Sequence, residues 1–168
     1  FIYDNIDKVR QFSPDALLSV GGGSVIDTGK SLSAAYYYEG DAFDFNLHKV
    51  NPSKTLPIGV VLTISAAGSE ASTSCVMQDD KTQIKLGFNS ELVRPLFAIE
   101  NPELTFSVNK TQTAYGVVDI LMHTLERYIT DDDFMLSSEF AIGVIKSVVK
   151  NGKLAILEPN NYLARKNL

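Results

Sequence analysis

The sequence predicts an α/β part followed by an all-helical part, and three observations carry that prediction. Short apolar runs of strand length recur in the first hundred residues, at Asp15–Val20, Pro57–Thr63 and Pro95–Ile99. The first of these runs straight into three glycines, Gly21–Gly23, and then into a segment of helical periodicity. Beyond residues 105–110 the strand-like runs stop and long helical patterns take over. We therefore expect two partial domains, residues 1–105 and residues 106–168.

Taken in order, Tyr3–Phe12 reads as a short amphipathic helix stopped by Ser13-Pro14. After the strand at 15–20 and the glycines, Ser24–Tyr38 reads as a helix. Ser24 is its expected N-cap, Asp27 lies in its first turn, and Val25, Ile26, Leu32 and Ala35 form one broad apolar face. Gly40–Lys54 is polar and loop-like apart from Phe43, Phe45 and Leu47. The strand at 57–63 leads into Ser65-Ala66-Ala67-Gly68-Ser69-Glu70, small residues suited to a turn. Val76–Asp80 and Gln83–Phe88 read as a hairpin around Asp79-Asp80-Lys81-Thr82. Lys110–Ile129 and Met135–Val149 are expected helices, and Asn161–Leu168 begins like a third.

Composition narrows the function. The chain has 168 residues, 45% hydrophobic and 21% charged, which suits a soluble globular protein with a real core. A formal net charge of -5 and the lack of any Lys/Arg cluster argue against a nucleic-acid partner. No apolar run reaches the ~20 residues of a membrane span. The single cysteine, Cys75, can form neither an internal disulfide nor a CxxC site; it reads as a small buried residue in a reducing, cytoplasmic setting. The opening Phe1-Ile2-Tyr3-Asp4 is neither a signal peptide nor an initiator Met, so an internal stretch of a longer polypeptide is expected.

Two places carry chemistry. Val20–Asp27, VGGGSVID, joins a strand to a helix through glycines. That arrangement suits phosphate, because glycines let the backbone approach and a helix N-terminus offers unpaired N–H groups with partial positive charge. It is not GxGxxG, and a tight turn with no ligand has the same appearance. The second place is GVVDILMHTLE, where Asp119 and His123 stand one helical turn apart and Glu126 follows. A carboxylate and an imidazole on one face can give a divalent Fe or Zn ion two ligands. An ordinary intrahelical Asp–His pair has the same spacing. His48 lies in a polar loop and reads as solvent-exposed. Tyr36-Tyr37-Tyr38 reads as packing at a helix end, and Asp131-Asp132-Asp133 as a solvated loop that caps the next helix.

The ordered set VGGGSVIDTGK, a threonine-bearing loop ending GSE, NPELT, and GVVDILMHTLERY resembles the iron-containing (group III) alcohol dehydrogenases. KLGFNSELVRPLFAIENPELT and PNNYLARKNL place the resemblance nearest the butanol-dehydrogenase-like branch. It implies a Rossmann-like dinucleotide-binding domain followed by the start of an all-helical metal-binding domain, the dehydroquinate synthase-like fold. It also implies hydride transfer between NAD or NADP and a small alcohol or aldehyde, Fe²⁺ or Zn²⁺ as the metal, and a homodimer or larger homo-oligomer. By resemblance, Gly22, Gly23, Ser24 and Asp27 match the pyrophosphate loop, and Thr63, Lys85 and Leu104 match cofactor-side positions. Asp119 and His123 match two metal ligands, and no catalytic side chain is implied beyond those ligands. Two further histidine ligands would lie past Leu168. Ala67 stands where a second threonine is usual, Asn101 where Asp precedes the proline, Asn109 where a proline often opens the metal-binding helix, and Ser72 where Asn is common. Rival expectations are a glycerol-dehydrogenase-like or dehydroquinate-synthase-like enzyme on the same fold, and a non-catalytic nucleotide-binding domain.

Overall fold

The computed structural model describes residues 1–80, 82–130 and 134–168. The acidic run 131–133 and Lys81 lie outside the described residues. The chain divides into two units: Phe1–Leu62 with Gly68–Ile99, and Thr63–Ala67 with Glu100–Leu168. The division falls earlier than the expected 105/106, and the segment 63–67 belongs with the helical unit, which no change of sequence texture announces.

The first unit runs α1 (Ile2–Phe12), β1 (Leu17–Gly21), α2 (Gly23–Ala35), β2 (Ile58–Leu62), β3 (Ser74–Asp79), β4 (Ile84–Asn89) and β5 (Phe97–Ile99). Strands β1, β2 and β5 form a parallel sheet in that order. Strand side chains alternate between faces, so register decides what each face presents. Leu18 and Val20 pair across β2 with Phe97 and Ile99 on β5, and these four large side chains stand exposed on one face. On the other face Ile58, Val60 and Leu62 pack with Ile26 of α2, which is fully buried. Close approach of α2 to β1 depends on Gly29, where a Cβ would collide with Ser19 Oγ.

Strands β3 and β4 pair antiparallel, with Cys75 opposite Phe88. Phe45, Cys75, Phe88, Val93 and Ala34 build a second core, against which Tyr38 packs. The 40–54 segment is therefore not a polar surface loop. Ala42–Asp44 forms a 3₁₀ turn, and Phe43, Phe45 and Asn46 are buried. Its polar residues serve that burial: Asp41 caps the turn by accepting from Phe43 N–H, and Asn46 donates to the carbonyls of Cys75 and Leu86. His48 is exposed, as expected.

Helix α2 departs from its expected form at both ends. It starts at Gly23 with Gly22 as N-cap, so Ser24 lies inside the first turn. Its buried face is Ile26, Gly29, Lys30, Ser31, Ser33, Ala34 and Ala35, while Val25 is exposed and closes over Gly21. A face rich in serine escapes apolar periodicity; Ser33 is satisfied by donating to the Leu56 carbonyl.

The second unit contains α3 (Lys110–Tyr128), α4 (Met135–Leu157) and α5 (Tyr162–Lys166). Asn109 caps α3 by accepting from Gln112 N–H, a role open to Asn as an N-cap. Asn101 likewise accepts from Glu103 N–H at the turn Pro102–Thr105. Helix α4 continues well past Val149, through the polar stretch Lys150–Lys153. Gly152 is buried there, and a Cβ at that position would collide with Val117 of α3, so the two helices pack closely. Arg165 of α5 is buried and donates to Thr113 Oγ1 and to the Pro159 carbonyl. Among the described residues no helix is long and apolar enough to cross a membrane.

The α2–β1 contact gives a direct expectation. Gly29→Ala in the full-length protein should lower stability by about 1–3 kcal/mol, the usual cost of overpacking a tight contact. Urea denaturation checks it, and an unchanged midpoint would contradict the packing described here.

Candidate cofactor and metal sites

The glycine turn is built by β1 and α2. All three of its glycines keep negative φ, so left-handed geometry is not what demands them. Gly21 lies directly beneath the Val25 side chain, where a Cβ would collide. The first helical hydrogen bonds run from Val25 N–H and Ile26 N–H to the Gly22 carbonyl. The earlier amides, at Gly23 and Ser24, precede any intrahelical acceptor, and no side chain caps this end. Ser24 is exposed beside them. A helix start with no side-chain cap, amides that precede any intrahelical acceptor and an exposed serine suits a phosphate oxygen, because aligned peptide dipoles also favour negative charge there.

One turn further along, Asp27 turns its carboxylate toward the segment 69–76. Ser69 Oγ donates to Oδ1 at 2.5 Å and Val76 N–H donates to Oδ2 at 3.0 Å. A carboxylate has about four lone-pair positions, so Asp27 can still accept from a ligand. Next on the helix, Lys30 has no exposed surface. Its ammonium donates to the carbonyls of Ser69 at 2.7 Å, Ser72 at 2.9 Å and Ser74 at 2.7 Å. Ser69 Oγ and Ser72 Oγ lie at 3.0 and 3.3 Å. Asp27 Oδ1 is 4.0 Å away and supplies the nearby negative charge. Burial pulls the Lys30 pKa down, and Asp27 opposes that pull.

Cys75 belongs to the same neighbourhood without reactive character. It is fully buried, within 3.1 Å of Ser31 Oγ, and its thiol donates to the Asp27 carbonyl. Burial, above all, pushes its pKa up to about 12. Lys85 projects from β4 as an exposed residue.

In the second unit, Thr63 begins the segment 63–67, which lies against α3 at Gly116. A Cβ on Gly116 would collide with the Ser65 carbonyl oxygen, so only glycine lets this backbone lie so close to the helix. Leu104 is part-exposed in the turn Pro102–Thr105. Asp119 follows Gly116 by one turn, and His123 follows Asp119 by one more. His123 Nε2 stands 3.7 Å from Asp119 Oδ1, with the side chains 43% and 44% exposed. The two groups share a face and lie close enough to serve one divalent ion, to which a carboxylate oxygen and an imidazole nitrogen are both suited. Among the described residues no group of three His, Cys, Asp or Glu side chains gathers into a metal site. The chemistry of this donor pair suits two positions in a divalent ion's shell.

Sequence reading passed over Lys30, Ser69 and Gly116. A lysine on an amphipathic helix is ordinarily solvent-facing, and only the serine-rich 69–74 segment, far along the chain, accounts for this one. The small residues ahead of α3 were the available signal for Gly116, but any helical glycine gives the same signal.

The family model for iron-containing alcohol dehydrogenase matches residues 2–102. The chain belongs to the iron-containing alcohol dehydrogenase family. It is 37% identical over 164 residues to NADH-dependent butanol dehydrogenase A of Clostridium acetobutylicum, covering 97% of this chain and 42% of that protein. It is 35% identical to an NADPH-dependent aldehyde reductase of Escherichia coli, covering 97% and 43%. Among solved structures, NADH-dependent butanol dehydrogenase A from Thermotoga maritima superposes with a TM-score of 0.96 at 37% identity, over 99% of this chain and 42% of that one. The chain thus spans about two fifths of the length of these relatives. This places the parallel sheet, with its glycine turn, within the α/β fold of the family.

The Cys75 environment is open to a simple check. At pH 8 the thiol of the native full-length protein should resist alkylation for hours, and it should react at once in denaturant, because a buried group with a raised pKa presents no thiolate. Rapid labelling of Cys75 under native conditions would contradict it.

Proposed function

We propose that the full-length protein is a metal-dependent alcohol dehydrogenase or aldehyde reductase that uses NAD or NADP on a small alcohol or aldehyde. The observation that carries this reading is the Asp119–His123 pair, one carboxylate and one imidazole facing solvent together on α3. The relatives named above include an NADH-dependent butanol dehydrogenase and an NADPH-dependent aldehyde reductase, which supports both the reaction class and either nicotinamide cofactor.

In this reading Gly22, Gly23 and Ser24 take the pyrophosphate on their amides and hydroxyl. Asp27 lies one turn further on, its orientation fixed by Ser69 and Val76. Thr63 offers the cofactor a hydroxyl, Lys85 a charge on β4, and Leu104 an apolar contact. Asp119 and His123 hold Fe²⁺ or Zn²⁺, and further ligands complete the shell. When bound, the metal supplies Lewis acidity toward a substrate oxygen and the nicotinamide supplies or accepts the hydride. No side chain of this chain is required as a general base. The protein works in the cytoplasm, as a homodimer or larger homo-oligomer, with neither nucleic acid nor membrane as partner.

The test is metal analysis and turnover of the full-length protein with Asp119→Ala and His123→Ala. Each variant should lose its metal and at least ~100-fold in turnover, while NAD(P)H binding stays within about twofold, because the ligands act through the metal rather than on the cofactor. A wild-type protein that carries no metal and reduces no aldehyde would favour the non-catalytic nucleotide-binding reading.

A further inference from the structure

We propose that Lys30 is a positioning residue of the nucleotide site, its buried ammonium holding the 69–74 turn in the form that fixes Asp27 beside the glycine turn. The inference rests on the nucleotide reading of Gly22–Ser24 given above.

The geometry carries it in three steps. First, five oxygens stand within 3.3 Å of Lys30 Nζ, and three of them are backbone carbonyls that can only accept, a shell suited to an ammonium. An ammonium has three N–H donors, and the three backbone carbonyls at 69, 72 and 74 match them in number. The turn therefore closes around a side chain, as a loop closes around a bound cation. Second, the same turn delivers two donors to Asp27. Ser69 gives a carbonyl to Lys30 and a hydroxyl proton to Asp27, so one residue couples the two charges. Val76, two residues past the last carbonyl, supplies the second donor. Third, Asp27 and Lys30 sit on the helix whose first turn is the uncapped Gly23-Ser24 end. Arg94 ties the outer side of the turn by donating to the Ala71 carbonyl, but it is exposed and leaves the inner carbonyls to Lys30.

Removing the charge leaves three carbonyls, one buried and two part-buried, without this donor and frees Asp27 to leave its place. The hydrogen bonds of Lys30 go to Ser69, Ser72 and Ser74, all within the first unit. Its loss should therefore weaken cofactor binding selectively.

The experiment uses the full-length protein with NADH and NADPH as probes, comparing Lys30→Met, Lys30→Arg and Ser69→Ala with wild type. Lys30→Met should bind the preferred cofactor about tenfold more weakly, as expected when carbonyls turned away from solvent lose a charged donor. Its metal content should stay at the wild-type level, and amides of 69–76 should exchange faster. Lys30→Arg should recover part of the affinity, which a role in packing alone would not produce. If Lys30→Met does not fold, Ser69→Ala decides: weaker binding with intact metal supports the inference, and wild-type affinity overturns it. Wild-type affinity in a folded Lys30→Met, or faster exchange with no change in affinity, overturns it as well. A wild-type protein that binds neither nucleotide overturns both this inference and the reading it rests on, whereas failure of the variants alone to differ leaves that reading standing.

Discussion

A lysine ammonium sealed away from water cannot be left without acceptors, and that constraint organises the first unit. Desolvating an ion costs far more than a single hydrogen bond returns, so a buried cation must be surrounded on all its donors. Lys30 meets the requirement by drawing in the carbonyls of three serines, and the chain from Gly68 onward is shaped to supply them. Gly68 enters this turn in the left-handed region, at φ 72°, where glycine is favoured. Without the ammonium the carbonyls would have to find water or another donor, and β3 would begin in a different place. The hairpin β3–β4 and the core around Phe45, Cys75 and Phe88 follow from where that turn ends.

The same arrangement explains the electrostatic character of the α2 start. Asp27 and Lys30 lie one turn apart and face the same serine turn, so their opposite charges largely offset each other at short range. What remains near the glycine turn is the field of the helix itself and the unpaired amides of Gly23 and Ser24. An anion there meets directed N–H groups rather than a mobile surface charge. In the second unit the Asp–His pair has the opposite disposition. Asp119 and His123 keep their side chains toward solvent. Asp27 is fixed by donors of its own chain, and the open pair on α3 is free to take a ligand from outside.

Much of this was legible in the residues because local chemistry decided it. The glycines after an apolar run, the short apolar runs read as strands and the Asp–His spacing all act over a few residues, and each appears where expected. What was not legible depends on contacts between distant segments. Lys30 is buried by serines around forty positions later. The 40–54 segment looks polar, yet Phe43 and Phe45 take it into the core, with Asp41 and Asn46 satisfying the backbone that goes with them. Helix α4 continues through Lys150–Lys153 because Gly152 packs on Val117, which outweighs the interrupted apolar pattern. The N-cap of α2 moved from Ser24 to Gly22 for a related reason. Capping preference is worth only about 1 kcal/mol, less than full burial of the Ile26 side chain, about 1.5–3 kcal/mol.

The central claim is that the amides opening α2 are a phosphate cradle whose neighbouring charges are already matched within the chain. A crystal structure of the full-length protein with its nicotinamide cofactor tests it most directly. The account predicts pyrophosphate oxygens within hydrogen-bond distance of Gly23 and Ser24 N–H, with Lys30 still on the three serine carbonyls. A pyrophosphate seated elsewhere, or one that draws Lys30 out of its shell, would contradict it.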